Sequence, residues 1–121
     1  MSRKKEREEA FKTLYAEEVK GSYQPAENTE FIEEIVTGVQ SRKKNLDQLL
    51  DNKLDDWRMD RVYPVEKIIL RMGLYELNFM DTDRAVVINE AVELAKKFGA
   101  RETSSFVNGI LDEFSGSDTG G

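Results

Sequence analysis

Cysteine and histidine are both absent from the 121 residues. Without cysteine there is no disulfide and no thiolate metal site, and without histidine the most common general base is missing as well. Any catalysis would have to run on carboxylates, lysines, tyrosines and hydroxyls, so the composition points to a protein that is not an enzyme and holds no metal or cofactor. Two prolines and eight glycines give little punctuation for a many-stranded fold. No segment approaches the roughly 18–20 apolar residues that span a bilayer, and the N-terminus lacks the apolar core of a signal peptide. These absences predict a cytoplasmic address with no membrane partner.

What is present is charge. Charged residues make up 35% of the chain and hydrophobic ones 39%, a mixture suited to one helical domain with well-solvated elements. The net charge is −6, but it is unevenly spread: residues 1–12 hold five basic groups (Arg3, Lys4, Lys5, Arg7, Lys12) against three acidic ones (Glu6, Glu8, Glu9), a net of +2, which leaves −8 for the rest. Four of these cations open an amphipathic segment whose Ala10, Phe11, Leu14 and Tyr15 fall at helical spacing. Cations at a helix N-terminus oppose its dipole at about 0.3–1 kcal/mol each, so the cluster breaks a local rule where a function would explain it. Clustered cations of this kind are either the footprint of a phosphate backbone or simply a solvated, fraying helix end.

The periodicity predicts an all-α fold of six to seven helices in two three-helix bundles, a single domain over residues 1–114 and a disordered tail over 115–121. The first helix runs from about Arg3 to Lys20 and ends at Gly21-Ser22. Asn28 or Thr29 caps a long second helix of about 25 residues, carrying Phe31, Ile32, Ile35, Val36, Val39, Leu46, Leu49 and Leu50. Asp55-Asp56 offers a cap for a short third helix with Trp57, Met59 and Val62. Tyr63-Pro64 breaks that pattern and starts a fourth helix reaching Met80. Its apolar residues cover nearly every side, which predicts a buried central post. The fifth helix, Arg84 to Phe98, stops at Gly99, expected in the left-handed conformation, and the sixth begins near Thr103 and buries Phe106 to Phe114.

Several constellations have a structural explanation. Glu33-Glu34, Asp55-Asp56 and the Glu90…Glu93 pair sit at caps or on polar stripes. Arg71 and Glu76 lie inside the apolar fourth helix, where charge must be paired; they are expected to pair with each other or with backbone carbonyls. Asn89 is expected to hydrogen-bond across to another element. Lys96 and Lys97 either serve only the last turn of their helix, where the dipole favours them, or also face a phosphate from that end. Gly109, inside the last helix at about 1 kcal/mol relative to alanine, is expected to permit close helix contact or to adjoin a ligand. Phe106 is either core or a stacking face for a base.

The segments Arg71-Met-Gly-Leu-Tyr-Glu-Leu, Val87-Ile-Asn-Glu-Ala-Val-Glu-Leu-Ala-Lys-Lys-Phe-Gly and Phe106-Val-Asn-Gly-Ile-Leu-Asp, in this order and spacing, resemble the NusB family of transcription antitermination proteins. The N-terminal half resembles it in pattern, through the basic cluster and Ala-Phe-Lys-Thr-Leu-Tyr. The resemblance implies two three-helix bundles and binding of the single-stranded boxA element of ribosomal RNA leader transcripts. It further implies a heterodimer with NusE, a small-subunit ribosomal protein, and assembly on RNA polymerase to suppress premature termination. By position, it implies RNA contact at Arg3, Lys4, Lys5, Arg7, Lys97 and Phe106, and NusE contact at Glu66 and Arg84. The family often carries an aromatic where Arg84 stands. Lysine at positions 4 and 5 keeps the attraction for phosphate but loses arginine's bidentate fork.

Two other readings fit the same helical pattern. One is a protein-interaction module or homodimer that does not bind RNA. The other is the RNA-binding front domain of ribosomal RNA cytosine methyltransferases, which need a catalytic cysteine and a second domain for which this chain supplies no residues.

Overall fold

The computed structural model describes residues 1–54 and 59–117. Among these lie five α-helices and one 3-10 turn: α1 (Arg3–Glu18), α2 (Glu30–Asp51), the turn Met59–Arg61, α3 (Pro64–Phe79), α4 (Arg84–Phe98) and α5 (Thr103–Leu111). The described residues are therefore all-helical, with fewer helices among them than the six to seven expected. The expected short third helix is replaced, where described, by the 3-10 turn, whose Met59 amide donates to Asp51 Oδ1 at 2.7 Å. Its proposed cap Asp55-Asp56 and Trp57 lie outside the described residues, as does the tail beyond Ser117.

Local chemistry sets the helix ends. The Ser2 hydroxyl accepts from the Lys5 amide at 3.1 Å and starts α1, and Thr29 does the same for Ile32 at the head of α2. α1 stops two residues earlier than expected. The Gly21 amide bonds to Ala16 O at 2.7 Å and the Lys20 amide to Glu17 O at 3.1 Å, and the left-handed residue this closure needs is Lys20, at φ 61°, not Gly21. Gly99 departs from expectation in the opposite sense: its backbone is extended. Glycine is needed there for space, because a Cβ would lie 2.6 Å from Thr103 Cβ and 2.7 Å from Ala95 O.

α3 is the central post. It packs against each of the other four helices, and its ten residues from Ile68 to Leu77 are all buried. Helices α1, α2 and α3 pack on one another, as do α3, α4 and α5, so the two groups of three share this helix. Ile69, Leu70 and Leu74 have no exposed surface, and each such side chain contributes about 1.5–3 kcal/mol by leaving water. A post buried all round forces its charged residues to find partners elsewhere. Arg71 and Glu76 do not pair with each other: Arg71 donates to both carboxylate oxygens of Asp47 at 2.7 and 2.8 Å and to Glu18 at 3.0 Å, while Glu76 takes Arg7 from α1.

Two smaller expectations change as well. Asn89 is exposed on α4, so it is not a buried amide in need of a cross-helix partner. Gly109 is exposed on α5, and a Cβ there would meet nothing within 4 Å; it serves no close helix contact. No helix among the described residues is long and apolar enough to cross a membrane.

Candidate nucleic-acid interface

The first two turns of α1 place the predicted cations in three different environments. Lys4 and Lys5 are exposed, and Lys4 forms no ion pair among the described residues. Arg3 is exposed too, but its guanidinium lies 4.2 Å over the Phe31 ring and donates to Glu6 at 2.7 Å. Arg7 is only 6% exposed. Its Nε donates to Glu76 Oε1 at 3.0 Å and its Nη2 to Glu76 Oε2 at 2.5 Å, with Glu90 at 4.0 Å. Burial alone would lower the pKa of Arg7, but the hydrogen bonds and charge of Glu76, with help from Glu90, raise it overall. The Arg7 guanidinium is therefore paired inside the fold, whereas Arg3, Lys4 and Lys5, expected beside it as phosphate contacts, are exposed.

The opposite wall comes from the end of α4. Lys96 and Lys97 occupy its last turn, where the helix dipole favours cations, and both are exposed. Together with Lys4, Arg7, Glu8, Glu90, Glu93 and Leu94 they line an open cleft of about 220 Å³. Lys97 Nζ crosses this cleft to donate to Glu8 Oε1 at 2.9 Å. Lys5 Nζ lies 3.7 Å from the same oxygen. The structure thus gathers Lys4, Lys5 and Lys97 at one rim, with Arg7 as its floor. Phe106 is not among the lining residues; it is half-buried on α5 and packs against the core.

The two residues assigned to a protein partner stand apart. Glu66, in the first turn of α3, is half-buried, and burial pushes its carboxyl above the ordinary range despite bonds from the Tyr63 backbone and the Thr103 side chain. Thr103 begins α5. Arg84, at the head of α4, donates to Phe114 O at 2.8 Å and to Asp112 O at 2.7 Å, beyond the far end of α5. The two residues therefore mark opposite ends of α5, separated along it by about nine residues or ~14 Å. Arg84 also lines an open groove of about 490 Å³ between α4 and α5, with Ile88, Asn89, Val92, Ser104 and Asn108 among others; Glu66 is not among its lining residues.

The acidic partners Glu8 and Glu76 do not stand out as isolated motifs, but the burial of Arg7 does carry a signal. Arg7, Phe11 and Leu14 fall at steps of four and three, so the apolar stripe of α1 extended backwards passes through Arg7. Likewise, a glutamate on a helix apolar all round must be paired. Among the described residues, no group of three or more acidic side chains is arranged to hold a metal ion.

Fold and rim together define an all-helical domain built on a shared central helix, with a lysine rim between its first helix and the end of α4. The sequence pattern of the NusB family matches residues 2–116. The transcription antitermination protein NusB of Myxococcus xanthus is 39% identical over 129 aligned positions, covering 92% of each chain. That of Staphylococcus haemolyticus is 40% identical over 124 positions, covering 92% of this chain and 97% of its own. Among solved structures, T. maritima NusB superposes with a TM-score of 0.85 at 28% identity, over 93% of this chain and 89% of the other. A structure of antitermination factors NusB and NusE in complex with dsRNA superposes with a TM-score of 0.75 at 26% identity, over 92% and 93%. The chain belongs to the NusB family.

Proposed function

We propose that this protein is a transcription antitermination factor that, together with NusE, binds the boxA element of ribosomal RNA leader transcripts. In this role it joins the antitermination complex on RNA polymerase and suppresses premature termination. It acts in the cytoplasm as a binding protein, not as an enzyme. The observation that carries the reading is the match over nearly the whole chain, in sequence and in shape, to NusB proteins, one of them solved with NusE and RNA.

The mechanism assigned to the site is electrostatic and local. Lys4, Lys5 and Lys97 hold phosphates at the rim, with Arg3 at its edge, while the acidic remainder of the molecule repels the transcript elsewhere and so orients it. Phe106 offers an aromatic face to an unstacked base. Arg7 acts from beneath, by fixing α1 against α3. NusE meets the surface marked by Glu66 and Arg84.

The test is a binding titration of a boxA-like RNA and a scrambled RNA, with and without NusE, across a range of salt. Affinity should fall with a log–log slope of about −0.7 per phosphate neutralised. Lys4→Ala should flatten the slope by about that amount without lowering stability, because Lys4 makes no ion pair among the described residues. A salt-independent affinity, or equal binding of the scrambled RNA with NusE present, would refute the assignment.

A further inference from the structure

Four consecutive charged residues of α1, Glu6 to Glu9, are buried, and three of them have at least one partner that is not a rim cation. Glu6 takes Thr29 and Arg3, Arg7 takes Glu76, and Glu9 takes Tyr23 and Lys12. Glu8 differs, because both its partners are rim lysines. Lys97 Nζ at 2.9 Å and Lys5 Nζ at 3.7 Å converge on one oxygen, Oε1. The Glu8 side chain is 5% exposed, whereas Lys97 and Lys5 are 50% and 56% exposed. An ammonium has three donors, so each lysine keeps donors for a ligand arriving from solvent.

We propose that Glu8 is an affinity-setting residue of the RNA interface: its carboxylate occupies, between Lys5 and Lys97, the position of a phosphate oxygen, and so opposes the RNA backbone from below. The proposal rests on the RNA-binding role given above. Two cations around one buried anion present a net charge of +1 to the transcript instead of +2. A phosphate seated on the outward side of both ammonium groups lies roughly 6 Å from the carboxylate, where like-charge repulsion at a half-exposed site weakens binding on the order of tenfold. The same carboxylate ties α1 to the end of α4, so the lysines stay gathered while their attraction is held down. Affinity for RNA is thus moderated by a fixed competitor and the rim remains assembled without ligand.

The experiment separates charge from scaffold. Glu8→Gln keeps an oxygen that accepts from Lys97 and removes the charge; Glu8→Asp keeps the charge on a shorter stem. Both are measured in the full chain by fluorescence anisotropy with a labelled boxA-like RNA and NusE, over a potassium chloride series, with circular dichroism to follow the fold. Glu8→Gln should bind about tenfold tighter at low salt, with a slope steeper by up to ~0.7, and Glu8→Asp no tighter than wild type. In a Lys5→Met/Lys97→Met background, Glu8→Gln should lose most of its effect. Unchanged or weaker binding by a folded Glu8→Gln chain would overturn the proposal. So would tightening that persists without the two lysines, or loss of the fold in Glu8→Gln, which would make the carboxylate a structural necessity. A wild-type chain that ignores the RNA takes down the RNA-binding role itself, whereas normal wild-type binding with an unresponsive Glu8→Gln takes down only this proposal.

Discussion

Replacing Arg7 distinguishes a structural cation from a nucleic-acid contact. In the native fold its guanidinium makes two hydrogen bonds to Glu76, which is 3% exposed, and approaches Glu90. Arg7→Ala would leave Glu76 buried without its cation and with Glu90 as a nearby second carboxylate. Breaking a buried pair from one side costs about 3–5 kcal/mol, a large part of the roughly 5–15 kcal/mol that holds a domain of this kind together. For a chain this long that corresponds to a fall in melting temperature of roughly 12–20 °C. Thermal and urea unfolding followed by helical circular dichroism measure it directly. The companion variant Arg7→Met/Glu76→Leu removes both charges and should regain most of the loss, because two apolar side chains replace a desolvated pair. If Arg7→Ala instead keeps its stability within about 0.5 kcal/mol while RNA binding drops, the guanidinium serves the transcript and the reasoning is wrong.

Three further outcomes follow from the geometry. Lys20→Gly should raise stability by about 0.5–1 kcal/mol in urea unfolding, since glycine relieves the left-handed strain at φ 61° but loses part of that gain to the unfolded chain; a loss of stability would contradict it. Gly38→Ala should destabilise by about 1–3 kcal/mol or more, because the new Cβ would sit 2.1 Å from Cζ of Tyr75 where α2 crosses α3. Full stability in thermal melts would show that the ring has somewhere to go. On acidification the melting temperature should hold down to about pH 5 and then fall. The Tyr23 hydroxyl holds Glu9 below the ordinary carboxylate range; burial raises Glu6 and Glu18, but bonds from Thr29 and Arg3 to the first, and from Arg71 to the second, outweigh it and bring both below. Such depressed carboxyls stabilise the fold fully above their unfolded values and lose that contribution as the pH drops through the folded ones. A melting temperature that rises below pH 5 would refute this assignment.

The helices were legible because each advertises a period. Three- and four-residue steps from Phe31 to Leu50 name α2, and apolar residues on every side of 65–77 name a post that all other helices must touch. The ends were less legible, since they depend on contacts between turns. Lys20 and Gly99 exchange the roles that glycine preference assigns them because the closing bonds of α1 fall one residue early and because Thr103 crowds position 99. Paired charge was the least legible feature. Counting residues 1–12 gives +2, but the count treats every cation as available, and availability is decided far along the chain: Glu76 on α3 neutralises Arg7, while Lys97 on α4 reaches back to Glu8.

That non-local pairing changes what the rim is. A cluster made only of neighbouring cations would be a loose fringe on one helix, its strength set by its number. Here Lys5 and Lys97 lie 92 positions apart in the chain and meet at one buried oxygen, so the geometry of the rim depends on α1 and α4 keeping their packing against α3. Any substitution that shifts α1 on the post, Arg7→Ala above all, therefore acts on RNA binding through the separation of the lysines, without touching a phosphate. Restoring the packing with the Arg7→Met/Glu76→Leu pair should restore that binding too, which a direct guanidinium contact to the transcript would not allow.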